Sequence, residues 1–117
     1  MTLRHRQIAL TRQERQALEA FKTQLLHKFD GGVARLFLYG SKARGESHRG
    51  SDLDVMVVLR RPDRQSSDAV YDLSFDIAVR YGVPLSVHVY TWREFLRYWR
   101  LPSSFMTNVA AEAVSLL

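Results

Sequence analysis

The apolar residues of this chain alternate between helical spacing and short continuous runs, and this alternation limits the fold more than any other feature. Helical spacing covers residues 11–29 and 66–81, nearly continuous apolar runs cover residues 33–39 and 52–59, and residues 85–90 alternate between apolar and polar side chains. Strands separated by helices of about a dozen residues favour a sheet covered by helices. We therefore predict an α/β fold with a small mixed β-sheet flanked by helices. The spacing itself leaves the direction of each strand open.

Local signals mark where the predicted helices begin and where the chain ends. Thr11 with Glu14 and Thr91 with Glu94 have the spacing of capping boxes, in which a hydroxyl and a carboxylate satisfy free backbone N–H groups. A serine at position 103 or 104 is placed to begin a last short helix, and residues 113–117 suggest a terminal edge strand. With 117 residues the chain is long enough for one core and too short for two. We expect a single domain over residues 1–117.

Charge and composition exclude several classes of protein. The chain has no cysteine, so it has neither a disulfide framework nor a cysteine-based zinc site. No apolar run reaches the roughly twenty residues that a membrane span needs, so we expect a soluble cytoplasmic protein without a membrane partner. The formal net charge is +5, and 14 of the 17 basic residues are arginine. Arginine binds phosphate and carboxylate through two parallel hydrogen bonds, which is consistent with a polyanionic partner.

The segment between the first two predicted strands has the composition of a phosphate-binding turn. Gly40 ends the first strand, and its lack of a side chain allows a sharp turn and a close approach of a ligand to the backbone. The Ser41 hydroxyl and the free N–H groups that follow it would form a concave donor site for phosphate. Arg44 lies one helical turn after Ser41 and would add positive charge to the same site.

Two aspartates begin the second predicted strand, where aspartate is normally disfavoured. Asp52 and Asp54 are two residues apart, so their side chains are expected on one face of the sheet, about 7 Å apart at the backbone. Two carboxylates beside bound phosphate suit Mg²⁺, which takes one or two carboxylates together with substrate phosphates and water. A magnesium-assisted phosphoryl displacement is the chemistry that this arrangement favours.

These residues resemble the signature of a known superfamily. Gly40-Ser41, ten intervening residues and Asp52-Leu53-Asp54 match the nucleotidyltransferase superfamily that includes DNA polymerase beta. Arg44-Gly45 and Ser51 match its small bacterial and archaeal members. The length and the stretch from Tyr81 to Phe95 resemble minimal nucleotidyltransferases that are paired with HEPN-domain proteins in toxin–antitoxin modules.

The resemblance implies an activity and a set of site residues. It implies transfer of a nucleoside monophosphate, AMP from ATP, to an acceptor hydroxyl, with Mg²⁺ as cofactor. Members of the toxin–antitoxin group transfer AMP to a tyrosine of the partner toxin, so the implied acceptor is on a HEPN-type partner. The implied metal ligands are Asp52 and Asp54. The implied nucleotide-binding residues are Gly40, Ser41, Arg44, Gly45 and Ser51.

One part of the family pattern is missing from this sequence. Active members usually have a third carboxylate on a later strand that faces the first two. The corresponding run over residues 85–90 contains no acid, and its site-facing residues are expected to be Ser86, His88 and Tyr90. His88 is the candidate catalytic residue that would replace the third acid, because imidazole serves as a base near neutral pH and as a metal ligand. The alternative is that His88 is a partly buried, hydrogen-bonded histidine of the strand.

Other readings of the same sequence remain open at this stage. The chain would be a degenerate nucleotidyltransferase-fold binding module, an antitoxin that acts by contact, if the missing acid abolishes catalysis. A basic row on the last long helix, Arg93, Arg97 and Arg100, fits RNA binding, although nucleic acid is the less favoured partner. The aromatic residues near the C-terminus exceed what a small core needs, which also suggests a protein partner or a homo-oligomer.

Overall fold

Helices and strands alternate along the part of the chain that the computed structural model describes, residues 10–40, 43, 52–61 and 64–117. The elements are α1 (Arg12–Lys28), β1 (Val33–Tyr39), β2 (Leu53–Leu59), α2 (Arg64–Tyr81), β3 (Leu85–Thr91), α3 (Trp92–Arg100), α4 (Ser104–Glu112) and β4 (Val114–Ser115). Every predicted helix and strand is present. Within these ranges, no helix is both long and apolar enough to cross a membrane.

The strands form one mixed sheet with the order β3-β2-β1-β4, which confirms the predicted fold class. Strand β1 is antiparallel to β2 and to β4, whereas β2 and β3 are parallel. Parallel neighbours require a crossover, and α2 provides it. The last residue of β1, Tyr39, therefore lies at the same end of the sheet as the first residues of β2 and β3.

The two faces of the sheet are covered by different helices. Helices α1 and α2 cover the first face, where alternate β2 residues are buried with Phe21, Leu25 and Ile77. Helices α3 and α4 cover the second face, where Phe37 and Met56 pack with residues of both helices. The result is a three-layer α/β/α arrangement in which each face of the central strands buries aliphatic and aromatic side chains.

Capping boxes fix the starts of α1 and α3, as the sequence predicts. Thr11 Oγ1 accepts a hydrogen bond of 3.1 Å from the Glu14 backbone N–H, and the Thr11 N–H donates one of 2.9 Å to Glu14 Oε1. Thr91 and Glu94 repeat both bonds at the same distances. Ser103, and not Ser104, caps α4, through a bond of 3.1 Å from the Met106 N–H to its hydroxyl. These local bonds satisfy backbone donors that the first helical turn leaves free.

Candidate active site

Polar side chains gather at one end of the sheet, where β1 ends and where β2 and β3 begin. Tyr39, the last residue of β1, lies opposite Asp54 on β2. Asp54 lies beside Ser86 on β3, and Met56 lies beside His88. Since these strands are in register, Asp54, Ser86 and His88 share the second face of the sheet with Tyr39. This end of the sheet, on its second face, is the candidate active site.

Gly40 is held directly against the Asp54 carboxyl group. Its φ angle is +79°, in the left-handed region that side chains disfavour. A methyl group placed on Gly40 would lie 3.2 Å from Cγ of Asp54 and would overlap Oδ2. Both the backbone conformation and the available space therefore require glycine here. The consequence is that the backbone at Gly40 approaches the carboxylate without an intervening side chain.

Tyr39 and His88 are linked by a hydrogen bond across the second face. The Tyr39 hydroxyl and His88 Nδ1 are 2.5 Å apart. The Phe105 ring packs edge-on against both, at centroid distances of 5.9 Å from Tyr39 and 6.4 Å from His88. The sequence left open that His88 is a partly buried, hydrogen-bonded histidine of the strand. The residue is hydrogen-bonded, but it is exposed and not partly buried. Its imidazole is therefore both oriented by Tyr39 and accessible from solvent.

The environment of Tyr39 keeps its hydroxyl protonated. Burial raises the pKa of the Tyr39 phenol far above its usual value, and the nearby Asp54 carboxylate and Tyr90 raise this pKa further. The phenol therefore keeps its proton at neutral pH. A neutral phenol beside the imidazole provides a hydrogen-bond partner for Nδ1, which orients the ring.

The structure describes only part of the predicted site. Asp52 is exposed and lies immediately before β2, and Asp54 is partly buried within it. The predicted nucleotide-binding residues other than Gly40 lie outside the described residues: Ser41, Arg44, Gly45 and Ser51. Ala43, the described residue between Gly40 and Asp52, is fully buried in the first-face core. The structure therefore brings Gly40 and Asp54 into contact, and Tyr39 connects His88 to the same edge of the sheet.

The donor atoms present at this edge fit magnesium in its usual protein setting. Asp52 and Asp54 offer carboxylate oxygens, the ligand type that Mg²⁺ prefers, and Mg²⁺ completes its shell with phosphates and water. Among the described residues, no group of three or more His, Cys, Asp or Glu side chains forms a metal cage. The residues therefore suit an ion that arrives with nucleotide better than an ion held permanently by the protein alone.

The sequence interpretation did not single out Tyr39 or Phe105. Tyr39 is the residue before the motif glycine, and its position opposite Asp54 follows only from the register between β1 and β2. Phe105 comes from α4, which is distant in sequence from all three strands. A polar aromatic residue immediately before the glycine was the one signal available, and it pointed to Tyr39 only weakly.

Comparisons with known proteins agree with this fold and motif. The family described as "Nucleotidyltransferase domain" matches residues 15–110. A protein of Methanocaldococcus jannaschii, named "Putative protein adenylyltransferase MJ0604", is 30% identical over 99 residues, which are 85% of this chain and 93% of that protein. Its similarity therefore extends over nearly the full length of both chains.

Two solved structures share the same architecture. A structure described as "putative minimal nucleotidyltransferase" superposes with a TM-score of 0.55 at 25% identity, over 86% of this chain and 94% of that chain. A structure described as "toxin-antitoxin with AMP-PNP" superposes with a TM-score of 0.55 at 20% identity, over 85% of this chain and 72% of that chain. Together with the family match over residues 15–110, the fold and the motif show that this chain belongs to the nucleotidyltransferase domain family.

Proposed function

We propose that this protein is a magnesium-dependent nucleotidyltransferase that transfers AMP from ATP to a hydroxyl group of a partner protein in a toxin–antitoxin module. The observation that carries the proposal is the contact between Gly40 and Asp54. These two residues come from the two halves of the family motif, and the fold brings them together at one edge of the sheet. The predicted partner is a HEPN-type protein, as the family resemblance implies.

The proposed binding roles follow the positions of the residues in the motif. The turn that begins at Gly40, with Ser41, Arg44, Gly45 and Ser51, would bind the triphosphate. Asp52 and Asp54 would hold Mg²⁺, which when bound neutralises charge on the phosphates during the displacement. Because Gly40 has no side chain, nucleotide phosphates can approach the backbone next to Asp54. The chain's own contribution is thus to orient the α-phosphate against the acceptor.

His88 is the proposed group for proton removal from the acceptor hydroxyl. When Nδ1–H donates to the Tyr39 oxygen, Nε2 is free to accept a proton. The imidazole is exposed on the same face as Asp54, where an acceptor side chain from another protein would arrive. Base catalysis of this kind contributes about 10² to 10⁴ in rate. His88 would therefore supply the function that the absent third carboxylate has in other family members.

The kind of acceptor and donor is inferred from relatives. The Methanocaldococcus jannaschii relative is named as a protein adenylyltransferase, which supports a protein acceptor and an adenylyl group. The toxin–antitoxin structure with AMP-PNP contains an ATP analogue, which supports ATP as donor. The small domain also has little surface with which to enclose a nucleotide. A partner protein would complete the site and present the hydroxyl.

A labelling experiment tests this proposal. The chain is incubated with α-labelled ATP, Mg²⁺ and the protein encoded beside it, and label on that protein is measured. We expect labelling by the native chain, none with Asp54→Asn, and full labelling with Asp30→Asn, which changes an exposed aspartate in the turn after α1. Labelling by Asp54→Asn at the native rate would refute the role of Asp54. Absence of label with native protein and a partner that binds it would refute transfer.

A second candidate function is a binding module that neutralises a partner by contact. The observation that favours it is the sequence of β3, which contains neither Asp nor Glu. If catalysis has been lost, replacement of both Asp52 and Asp54 by Asn should leave partner binding and toxin neutralisation unchanged. If neutralisation is lost while the complex still forms, the protein acts by transfer. Titration calorimetry of the complex and growth assays with the toxin distinguish these results.

A further inference from the structure

One edge of the sheet and a helix beside it form an unusually apolar surface. Tyr71, Phe75 and Val79 follow each other at steps of four on α2, with exposed fractions of 44%, 68% and 67%. Helix α2 contacts β3, which is an edge strand of the sheet. Tyr98 of α3 is 40% exposed and packs edge-on against Tyr90, at a centroid distance of 5.7 Å. We name the surface formed by these four side chains and β3 the β3 surface.

The sequence of β3 lacks the charged residues and proline that commonly protect an edge strand from pairing. Its sequence, Leu-Ser-Val-His-Val-Tyr-Thr, contains no Lys, Arg, Asp, Glu or Pro. Charged residues and proline are the usual means by which an edge strand avoids association, together with shortness. The opposite edge, β4, is only two residues long. The long uncharged edge therefore calls for a covering partner, whereas the short one does not.

We propose that the β3 surface binds a second copy of this chain, with β3 paired antiparallel to its counterpart about a two-fold axis at His88. This register places Val87 opposite the second copy's Val89, a favourable pair of β-branched residues. It places Ser86 opposite Tyr90, and no charged side chain lies opposite another in the strand. A two-fold interface must be self-complementary, and an uncharged strand with this symmetric pattern meets that requirement.

The helix and the strand agree on where this axis lies. His88 is three residues after Leu85, about 10 Å along the strand at about 3.3 Å per residue. The midpoint between Tyr71 and Phe75 is eight residues before the end of α2, about 12 Å along the helix at 1.5 Å per residue. Helix α2 ends at Tyr81, close to where β3 begins at Leu85, and runs antiparallel to the strand. His88 and the midpoint between Tyr71 and Phe75 are therefore at nearly the same distance from this end of the sheet. One axis would therefore pair β3 with itself and place Tyr71 against the second copy's Phe75.

The exposed rings provide about a third of the area that a standard dimer interface takes from each partner. Full burial of a Phe or Tyr side chain removes roughly 200 Å² from solvent, so the exposed parts of Tyr71, Phe75 and Tyr98 together supply about 300 Å² per copy. A standard interface takes about 800 Å² per partner. Val79 and the seven residues of β3 would contribute the remainder. The net charge of +5 opposes association at long range, but this repulsion is screened beyond about 8 Å at physiological ionic strength.

Sedimentation equilibrium of the full chain at physiological salt tests the proposal. The native chain should form a dimer with a dissociation constant in roughly the micromolar range. Phe75→Glu should raise that constant by about a hundredfold, because it places a carboxylate in the apolar contact. Leu117→Glu is the matched control, since Leu117 is 53% exposed and follows β4 at the opposite edge. It should dimerise like the native chain. A native chain that remains monomeric, or equal weakening by both variants, would overturn the proposal.

A cysteine cross-link tests the position of the axis. The chain has no cysteine, so a single introduced thiol reports one contact. His88→Cys should form a disulfide dimer on mild oxidation, because directly opposite residues of antiparallel strands are within disulfide distance. Asn108→Cys, on the exposed side of α4, should remain monomeric and is the control. Failure of His88→Cys to cross-link while the native chain dimerises would overturn pairing through β3.

Hydrogen exchange distinguishes binding of a second copy of the chain at the β3 surface from binding of a different protein there. Amides of β3 should exchange more slowly as the concentration of the native chain increases, and Phe75→Glu should remove this dependence. Protection of β3 only when a different protein is added would overturn the proposal in favour of a strand donated by that protein. Far-ultraviolet circular dichroism of each variant verifies folding. Because Phe75 is 68% exposed, its substitution should leave the fold intact.

Discussion

The two faces of the same sheet are built from the same strands but carry different chemistry. On the first face, β2 contributes Leu53, Val55, Val57 and Leu59, all of which are buried against α1 and α2. On the second face it contributes Met56 and Val58 to a similar core, but Asp54 takes the next position toward the start of the strand. The difference shows how one strand serves two purposes. Its odd-numbered residues are buried in the core of the first face. Its even-numbered residues contribute to the core of the second face and, at Asp54, to the candidate site.

The polar end of the second face depends on the apolar remainder of the molecule. Tyr39 is 8% exposed and is fixed between the sheet and Phe105, so its hydrogen bond to His88 holds the imidazole in one orientation. Side chains that are locked by packing keep a site in its working geometry. The first face, in the part of the chain that the structure describes, buries aliphatic and aromatic side chains against α1 and α2. If this comparison is correct, substitutions on the two faces should affect different measurable quantities.

The largest expected effect is that of Asp54→Asn on transfer. Loss of this carboxylate would remove several kcal/mol of electrostatic stabilisation, which corresponds to a decrease in kcat on the order of 10³-fold. The transfer assay with α-labelled ATP measures this change. The midpoint of urea unfolding should change little, because Asp54 lies near the start of β2 and belongs to neither hydrophobic core.

The matched substitution on the first face is Leu53→Ala, one residue away. Leu53 is fully buried, and its truncation should lower the free energy of unfolding by about 2–5 kcal/mol through lost contacts and a cavity. The protein that remains folded should keep most of its transfer activity. Should Asp54→Asn destabilise the fold as much as Leu53→Ala does, the loss of transfer would be structural and the division between the faces would be wrong.

The second expected effect is that of His88→Ala on the chemical step. Removal of the proposed base should lower kcat by about 10²-fold while the affinity for ATP changes little, since the proposed role of His88 is toward the acceptor hydroxyl and not toward the triphosphate. Rapid-quench transfer and equilibrium ATP binding measure the two quantities separately.

Tyr39→Phe tests the same hydrogen-bonded pair as His88→Ala and should have a smaller effect on kcat. It keeps the ring packed against Phe105 but removes the hydroxyl that meets His88 Nδ1, so it should lower kcat by less, about tenfold. Equal losses of binding and transfer in His88→Ala, or no loss in either, would refute a role for His88 in proton transfer. The histidine would then be a structural residue of β3.

The third expected effect compares two glycines with nearly the same backbone conformation. Gly31 and Gly40 have φ angles of +75° and +79°, so the backbone conformation alone should cost an alanine at either position about 1–2 kcal/mol. A methyl group on Gly31 meets no atom within 4 Å, whereas one on Gly40 meets the Asp54 carboxyl. Gly40→Ala should therefore lose transfer activity and Gly31→Ala should retain it. Equal activity of the two variants would show that the Gly40 contact has no role in the site.

Local signals predicted the fold better than they predicted the site. Helix starts depend on side chains three residues apart, so Thr11 with Glu14 and Thr91 with Glu94 could be identified from the sequence. Buried strands are short apolar runs, and these also appear in one stretch of sequence. The strand order and the partners of each strand depend on packing between distant segments, which spacing alone does not encode. The two-residue length of β4 also depends on pairing with a distant strand, and spacing alone did not predict it.

The site shows the same division between near and distant contacts. Gly40, Asp52 and Asp54 were identified because they lie within one motif of the sequence. The pairing of Tyr39 with His88 was not predicted, because it joins residues 49 positions apart through two strand registers. The predicted placement of Ser86, His88 and Tyr90 on one face required only the alternation of β3. Residues whose contacts depend on one strand were thus accessible from sequence, and those that depend on three strands were not.

The smallest expected effect comes from the two capping boxes, which lie on opposite faces of the sheet. Thr11→Ala and Thr91→Ala should each lower the free energy of unfolding by about 1 kcal/mol, because each removes a hydroxyl that accepts a 3.1 Å hydrogen bond from a backbone N–H. Urea unfolding of both variants measures this. Equal values would show that cap energies are local and independent of the face. A much larger loss for Thr91→Ala would mean that the start of α3, which directly follows the last residue of β3, also holds that edge strand in register.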